Sequence, residues 1–358
     1  MADALDPKQV RPRTFDASKT DALSAWLSQA LAGSVTVTAA ALLGGGAVQE
    51  NWRIDVQVDG GPRAGSHTWV MRTDAAQRLS LSLDREAEFA VLKAAHASGV
   101  PVAEPIVRCT DADMIGRPFL IQAFVEGQAQ ARQIVRHPEL ATFGDRLAAD
   151  LGRTLAAIHA ITPPGRELSA LPIPMQPPAK VLVASLKAAL ASASQTRPAL
   201  EYVLTWLDAH VPATPRITLV HGDFRTGNYM LDGTKLAAIL DWEFTHWGDP
   251  DEDIGWLCAR CWRFGNDADN QEAGGIGSRR ALYDAYAAAS GRKIGEATIA
   301  YWEVMAAAKW AVIAILQGDR FLTGGETAIE LALTGLMAPE MEFDALDGIA
   351  AIEAKAKS

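Results

Sequence analysis

The sequence predicts an α+β fold in two lobes, a small one built on an antiparallel sheet and a larger one that is mainly helical. Three observations carry this expectation. The chain has 358 residues, more than a single hydrophobic core comfortably serves. Short runs of alternating apolar residues fill the stretch from 35 to 125, whereas long runs at helical spacing dominate the remainder of the chain. The composition also turns toward Ala and Leu beyond Gly127. The expected division is a helical segment over 1–34, a sheet lobe over 35–125, a helical lobe over 126–340 and a tail over 341–358.

Each element follows from its own pattern. Ser18 to Leu31 places Leu23, Trp26, Leu27 and Ala30 on one helical face. From Val35 three strands follow, the second over WRIDVQV and the third over HTWVMR, separated by Gly44, Gly45 and Gly46 and by the turn around Gly60 and Gly61. Asp84 to Ala97 returns to helical spacing and ends at Gly99 and Pro101. Two more strands, EPIVRCT and RPFLIQAFV, complete a five-stranded, mostly antiparallel sheet. Helices are then expected over 139–161, 179–191, 198–209, 251–264, 279–289 and 296–317, with a short surface helix in the tail. One compact break, ITLVHGDFRTGNYMLDGTKLAAILDWE, interrupts them with strand-like runs and an Asp-Gly turn at 232 and 233.

Composition narrows the function. Hydrophobic residues make up 49% and charged residues 21%, the balance of a globular protein. A net charge of -10, with no stripe of Lys and Arg, excludes a nucleic-acid partner from the expectation. The first residues lack the apolar core of a signal peptide. The longest apolar run, Val304 to Leu316, is broken by Lys309 and reads as a buried helix, so no membrane partner is expected. Three cysteines fit a reducing cytoplasm, and Cys258 with Cys261 has no companion ligand pair to suggest zinc.

The chemistry concentrates on the break. A hairpin of that length returns the chain to its start, so Asp223, Asn228 and Asp241 should converge. Phosphoryl transfer needs such a set: Mg²⁺ takes hard oxygen ligands from carboxylates, amides and phosphates, and a separate carboxylate accepts or orients the acceptor hydroxyl. We assign Asp223 the latter role and Asn228 and Asp241 the metal. His159, on an Ala/Leu helix face, reads as a satisfied core histidine. The acid run Asp249, Asp251, Glu252 and Asp253 reads as a helix cap.

The segments HGDFRTGN and ILDWE resemble the catalytic and metal-binding loops of the aminoglycoside phosphotransferase and choline kinase-like family, whose fold is protein-kinase-like. The glycines at 44–46, Arg85-Glu86, GVPVAEP, the LxxxHA pattern at His159 and GDPDEDIGW agree in order, so the resemblance spans roughly 35 to 320. It is closest to the branch of kinase-like domains fused to acyl-CoA dehydrogenases. It implies ATP, or GTP, as co-substrate with Mg²⁺, and a small hydroxylated molecule as acceptor. Gly44, Gly45 and Gly46 would cover the phosphates, with the nucleotide base against the connector at Gln122 and Phe124. A strand-borne Lys in this family pairs with the Glu that matches Glu86; Arg72 stands in its place here, which opens the alternative of a module that binds nucleotide or metabolite without transfer. By the same resemblance His221 has a packing or backbone-bonding role, and Asp253 braces the catalytic loop. The fused relatives point toward hydroxylated acyl acceptors, for which Trp256, Trp262, Trp302 and Trp310 would make an apolar wall if they are not core.

Overall fold

The computed structural model describes residues 15, 17–43, 50–73, 82–214, 216–266 and 270–357. The chain divides into two compact units, one formed by the residues up to Lys93 with Ala103–Val125, the other by Ala94–Val102 with Glu126–Ser358.

The first unit is a five-stranded antiparallel sheet in the order β1-β2-β3-β5-β4. Its strands are β1 (Ser34–Leu43), β2 (Glu50–Asp59), β3 (Gly65–Thr73), β4 (Pro105–Cys109) and β5 (Phe119–Ala123). Period-two patterning sets the faces: Trp52, Ile54, Val56 and Val58 of β2 are buried, and the residues between them are not. Helix α1 (Thr20–Ala30) joins the same core through Leu23 and Leu27, one turn apart, instead of forming a separate segment. It also covers the edge strand, because Ser28 Oγ accepts from Val35 N at 2.8 Å and Ser24 Oγ from Val37 N at 2.9 Å. Edge N–H groups capped in this way cannot recruit another strand. Helix α2 (Arg85–Ala97) starts behind Asp84, whose carboxylate accepts from Ala87 N at 2.8 Å.

The second unit is helical, with α3 (Ala131–Val135), α4 (Leu140–His159), α5 (Pro178–Ala191), α6 (Pro198–Ala209), α7 (Pro250–Cys258), α8 (Arg279–Ser290), α9 (Glu296–Leu322), α10 (Ile329–Gly335) and α11 (Ala338–Lys357). Two small antiparallel pairs stand among them: β6 (Thr218–Val220) with β9 (His246–Gly248), and β7 (Tyr229–Asp232) with β8 (Lys235–Ile239). Helix α9 is long and apolar enough to cross a bilayer, but 67% of its most apolar window is buried in the protein. Its Trp302, Met305, Ala308, Val312 and Ile315 share a core with α5, α6 and α11, as expected of a helix apolar all round.

The tail differs from the short surface helix expected. Helix α11 runs for 20 residues and buries Ala338, Met341, Ala345 and Ile349. That stripe has helical spacing, but its alanines carry too little apolar weight to announce a buried face. The helix expected over 251–264 also breaks, at Ala259, into a 3₁₀ turn over Arg260–Arg263. Positions 256 and 262 would lie on different faces of a continuous helix. The break lets Trp256 and Trp262 pack together at 5.2 Å between ring centroids, with Trp310 4.9 Å from Trp262.

Candidate active site

Strand β6 delivers the chain into the loop 221–228, and the β7–β8 hairpin returns it. Leu240 N donates to Asn228 O at 2.8 Å, one step beyond the Tyr229–Ile239 register pair. The ladder therefore fixes Asn228 beside the residue that precedes Asp241. Asp241 itself takes a left-handed conformation, φ 57° and ψ 64°, which Asp tolerates better than most side chains. The turn ends β8 and begins the 3₁₀ segment Trp242–Phe244.

Asp223 and Asn228 touch directly. Asn228 Nδ2 donates to Asp223 Oδ2 at 2.6 Å and to the Asp223 carbonyl at 2.9 Å. With its nitrogen spent in this way, the amide turns its oxygen away from Asp223. Asp223 Oδ1 accepts from Trp256 Nε1 at 2.7 Å and from Arg225 Nε at 3.1 Å. The Arg225 guanidinium lies 4.5 Å from the Trp262 ring centroid, a cation over a π face.

Two histidines and one buried carboxylate hold the loop. His221 Nδ1 accepts from Asp223 N at 3.2 Å, which puts the ring proton on Nε2, 2.8 Å from the Leu240 carbonyl. One ring thus ties the loop that carries Asp223 to the strand that leads to Asp241. Asp253 is fully buried. Its Oδ2 accepts from His221 N at 2.7 Å and bonds His159 Nε2 at 3.2 Å, while Oδ1 accepts from Gly222 N at 2.9 Å. Burial opposes its ionisation, but the hydrogen bond and charge of His159 and the backbone hydrogen bond from His221 hold its carboxyl below the usual carboxylate range. Gly222 has φ +79°, and a Cβ there would fall 2.4 Å from the Phe244 carbonyl oxygen, so no larger residue fits. Asp249 caps α7 by accepting from Asp251 N at 2.9 Å, with Pro250 in the first turn.

Lys309 of α9 donates to the Gly222 carbonyl at 2.9 Å, lies 4.6 Å from the Trp256 ring centroid and pairs with Glu252 at 3.5 Å. Sequence reasoning missed Lys309 and Arg225 and placed Trp256 only as wall or core. Trp256 and Lys309 reach the loop across 33 and 87 positions, a separation over which no local pattern carries a signal.

In the sheet unit the expected pairing shifts by two residues. Arg72 pairs with Glu88 at 3.2 Å, both buried, and Arg85 also bonds Glu88. Glu86 is exposed and pairs with Arg108 instead. Residues two apart on a helix point roughly 200° apart, so Glu86 cannot share the face on which Glu88 meets β3. Gln122 pairs with Val70 in the sheet and buries an Oε1 without a hydrogen-bond partner. Phe124 lies under the Arg53 guanidinium at 5.3 Å. Gly44, Gly45 and Gly46 fall outside the described residues.

Residues 40–303 match the family model described as the phosphotransferase enzyme family, APH. The chain belongs to that family. Curated relatives include acyl-CoA dehydrogenase family member 10 of Mus musculus, 30% identical over 184 residues, and member 11 of the same organism, 30% identical over 203 residues. The matches take in 48% and 54% of this chain but 16% and 25% of those proteins, so the chain corresponds to a minor part of each. Among solved structures, a candidate aminoglycoside phosphotransferase from Ralstonia eutropha superimposes with a TM-score of 0.72 at 23% identity, covering 92% of this chain and 97% of that one. Spectinomycin phosphotransferase in complex with ADP and spectinomycin gives a TM-score of 0.55 at 13% identity, covering 92% and 98%. The fold of this family member is therefore protein-kinase-like.

The donor set suits the magnesium and nucleotide that such a fold implies. The Asn228 amide oxygen and the Asp241 carboxylate are hard ligands of the kind Mg²⁺ takes in ones and twos, with phosphate oxygens and water supplying the rest. Among the described residues no three His, Cys, Asp or Glu side chains form a metal cage of their own. Gln122 Oε1 is a buried acceptor that lacks a partner among the described residues.

Proposed function

We propose that this phosphotransferase moves the γ-phosphoryl group of ATP or GTP to a hydroxyl of a small organic molecule, with Asp223 orienting that hydroxyl and accepting its proton. The observation that carries the reading is the hydrogen bonding of Asp223. Oδ1 already accepts two bonds and Oδ2 one, so a carboxylate with two lone pairs per oxygen keeps a single open position, on Oδ2. A hydroxyl bonded there would be aligned by groups that are themselves fixed, which is the positional contribution that phosphoryl transfer demands.

Asn228 and Asp241 would hold the cation, and bound Mg²⁺ would neutralise charge on the phosphates. Arg72, Gln122 and Phe124, with Gly44 to Gly46, would contact the nucleotide. The names of the curated relatives favour a hydroxylated acyl compound as acceptor. Arg72 in place of the usual Lys supports a second reading, a module that binds nucleotide without transferring phosphate.

The test is Mg²⁺-dependent thermal stabilisation by ATP and by GTP, followed by phosphate transfer to pooled hydroxylated metabolites. Transfer by the wild type that falls by about 10² to 10⁴-fold in Asp223→Asn, with the melting temperature kept, is the expected result. Stabilisation with no transfer to any pool would favour the second reading.

A further inference from the structure

The helical unit contains a pocket of about 430 Å³ away from the loop 221–228, a volume in the range of small-molecule sites. Its polar wall is cationic: Arg132 and Arg136 stand one helical turn apart at α3, with His137 beside them. Its apolar wall is the exposed ring of Pro138 with the edges of Ile134 and Leu231, which are otherwise buried. No Asp or Glu lines it, in a chain whose acidic residues outnumber its basic ones, 43 to 33.

The partners of these groups make the pocket informative. Among the described residues, neither the Arg132 nor the Arg136 side chain has an ion pair or hydrogen bond, although most arginines of the chain do. Both arginines are exposed to solvent, where like charges at this spacing repel weakly, and no carboxylate lines the pocket to draw them together. His137 Nδ1 accepts from Glu139 N at 3.1 Å, so its proton sits on Nε2. The glutamines of the same wall are satisfied locally, Gln128 bonding Gln133 and Gln133 donating to Gln130 at 2.7 Å. Two guanidinium forks and one imidazole N–H thus remain as donors beside an apolar surface.

We propose that this pocket binds the phosphate monoester of a small organic ligand whose apolar part rests on Ile134, Pro138 and Leu231. Planar guanidinium forks match phosphate oxygens bidentately. A phosphate presents three terminal oxygens and close to two charges, a better match to two arginines than one carboxylate. The proposal does not rest on the assignment of Asp223, since no residue of the loop 221–228 lines the pocket.

The experiment is calorimetric titration of the full chain, free of nucleotide and Mg²⁺, with phenyl phosphate, inorganic phosphate and benzoate. The controls are the Arg132→Gln/Arg136→Gln double variant and methyl NMR of Ile134 and Leu231. Phenyl phosphate should bind the wild type, shift both methyl groups, and weaken by about tenfold or more in the double variant as its charge-assisted bonds are lost. Inorganic phosphate should bind more weakly for want of the apolar contact. Absence of phenyl phosphate binding, or equal binding by the double variant, would overturn the site. Benzoate binding as tightly as phenyl phosphate would overturn the choice of phosphate, and inorganic phosphate doing so would overturn the apolar contact.

Discussion

The sheet unit and the helical unit each bury a carboxylate completely, and they satisfy it by different means. Glu88 is satisfied by side chains, meeting two arginines, Arg72 at 3.2 Å and Arg85. Asp253 meets the backbone N–H groups of His221 and Gly222 and the imidazole of His159, so two of these three partners are backbone groups of the loop 221–228. The difference separates two jobs. A carboxylate held by side chains fixes the helix that carries it against the sheet, whereas one saturated by backbone donors fixes the path of a loop. Asp249, four residues before Asp253, shows the effect of fewer donors: burial raises its carboxyl to about 7, against the backbone bond from Asp251.

The comparison can be broken at each of the three. Asp253→Ala should cost the most, about 3–5 kcal/mol, because it strips the partner from His159 and two buried N–H groups; chemical denaturation of the variant checks this, and a loss within about 1 kcal/mol would show that the brace is dispensable. Glu88→Gln should destabilise by about 3 kcal/mol, since two buried guanidinium groups lose a buried carboxylate partner, while the exposed Glu86→Gln should change stability by less than about 1 kcal/mol. Equal effects in the same denaturation series would return the pairing to Glu86.

Asp249 sharpens the contrast through pH. Its folded-state pKa is raised, so the folded protein holds a proton that the unfolded chain releases from about pH 4 upward. Stability should therefore fall as pH rises from about 4 to about 7, by up to about 1.4 kcal/mol per pH unit from this group, and then level off. Asn can cap the helix without titrating. Asp249→Asn should remove that slope, read as melting temperature against pH, and an unchanged slope would assign it to other groups.

Much of this was legible in the residues themselves. The strands of the sheet, α6, the 232–233 turn and the return of the hairpin to Asn228 follow from periodicity, Gly and Pro placement and loop length. The features that escaped were fixed by tertiary contact. The phase of α2 decides between Glu86 and Glu88, and it depends on how the helix meets β3. The indole of Trp256 is apolar in any pattern, yet its N–H holds Asp223. Lys309 interrupts an apolar run and looks like a flaw in α9 until Gly222 supplies its partner. The buried stripe of α11 rests partly on small alanines, which weigh little in any apolar pattern.

On the proposed function, Asn228 and Asp241 together would offer a divalent cation its protein ligands. Titration of Mn²⁺ followed by electron paramagnetic resonance, with ATP present, tests it most directly and needs no acceptor. Wild-type protein should bind the Mn²⁺–ATP complex, and Asp241→Asn should weaken that binding by about tenfold or more through loss of a charged ligand while keeping its melting temperature. Equal binding by the folded variant and the wild type would contradict the account.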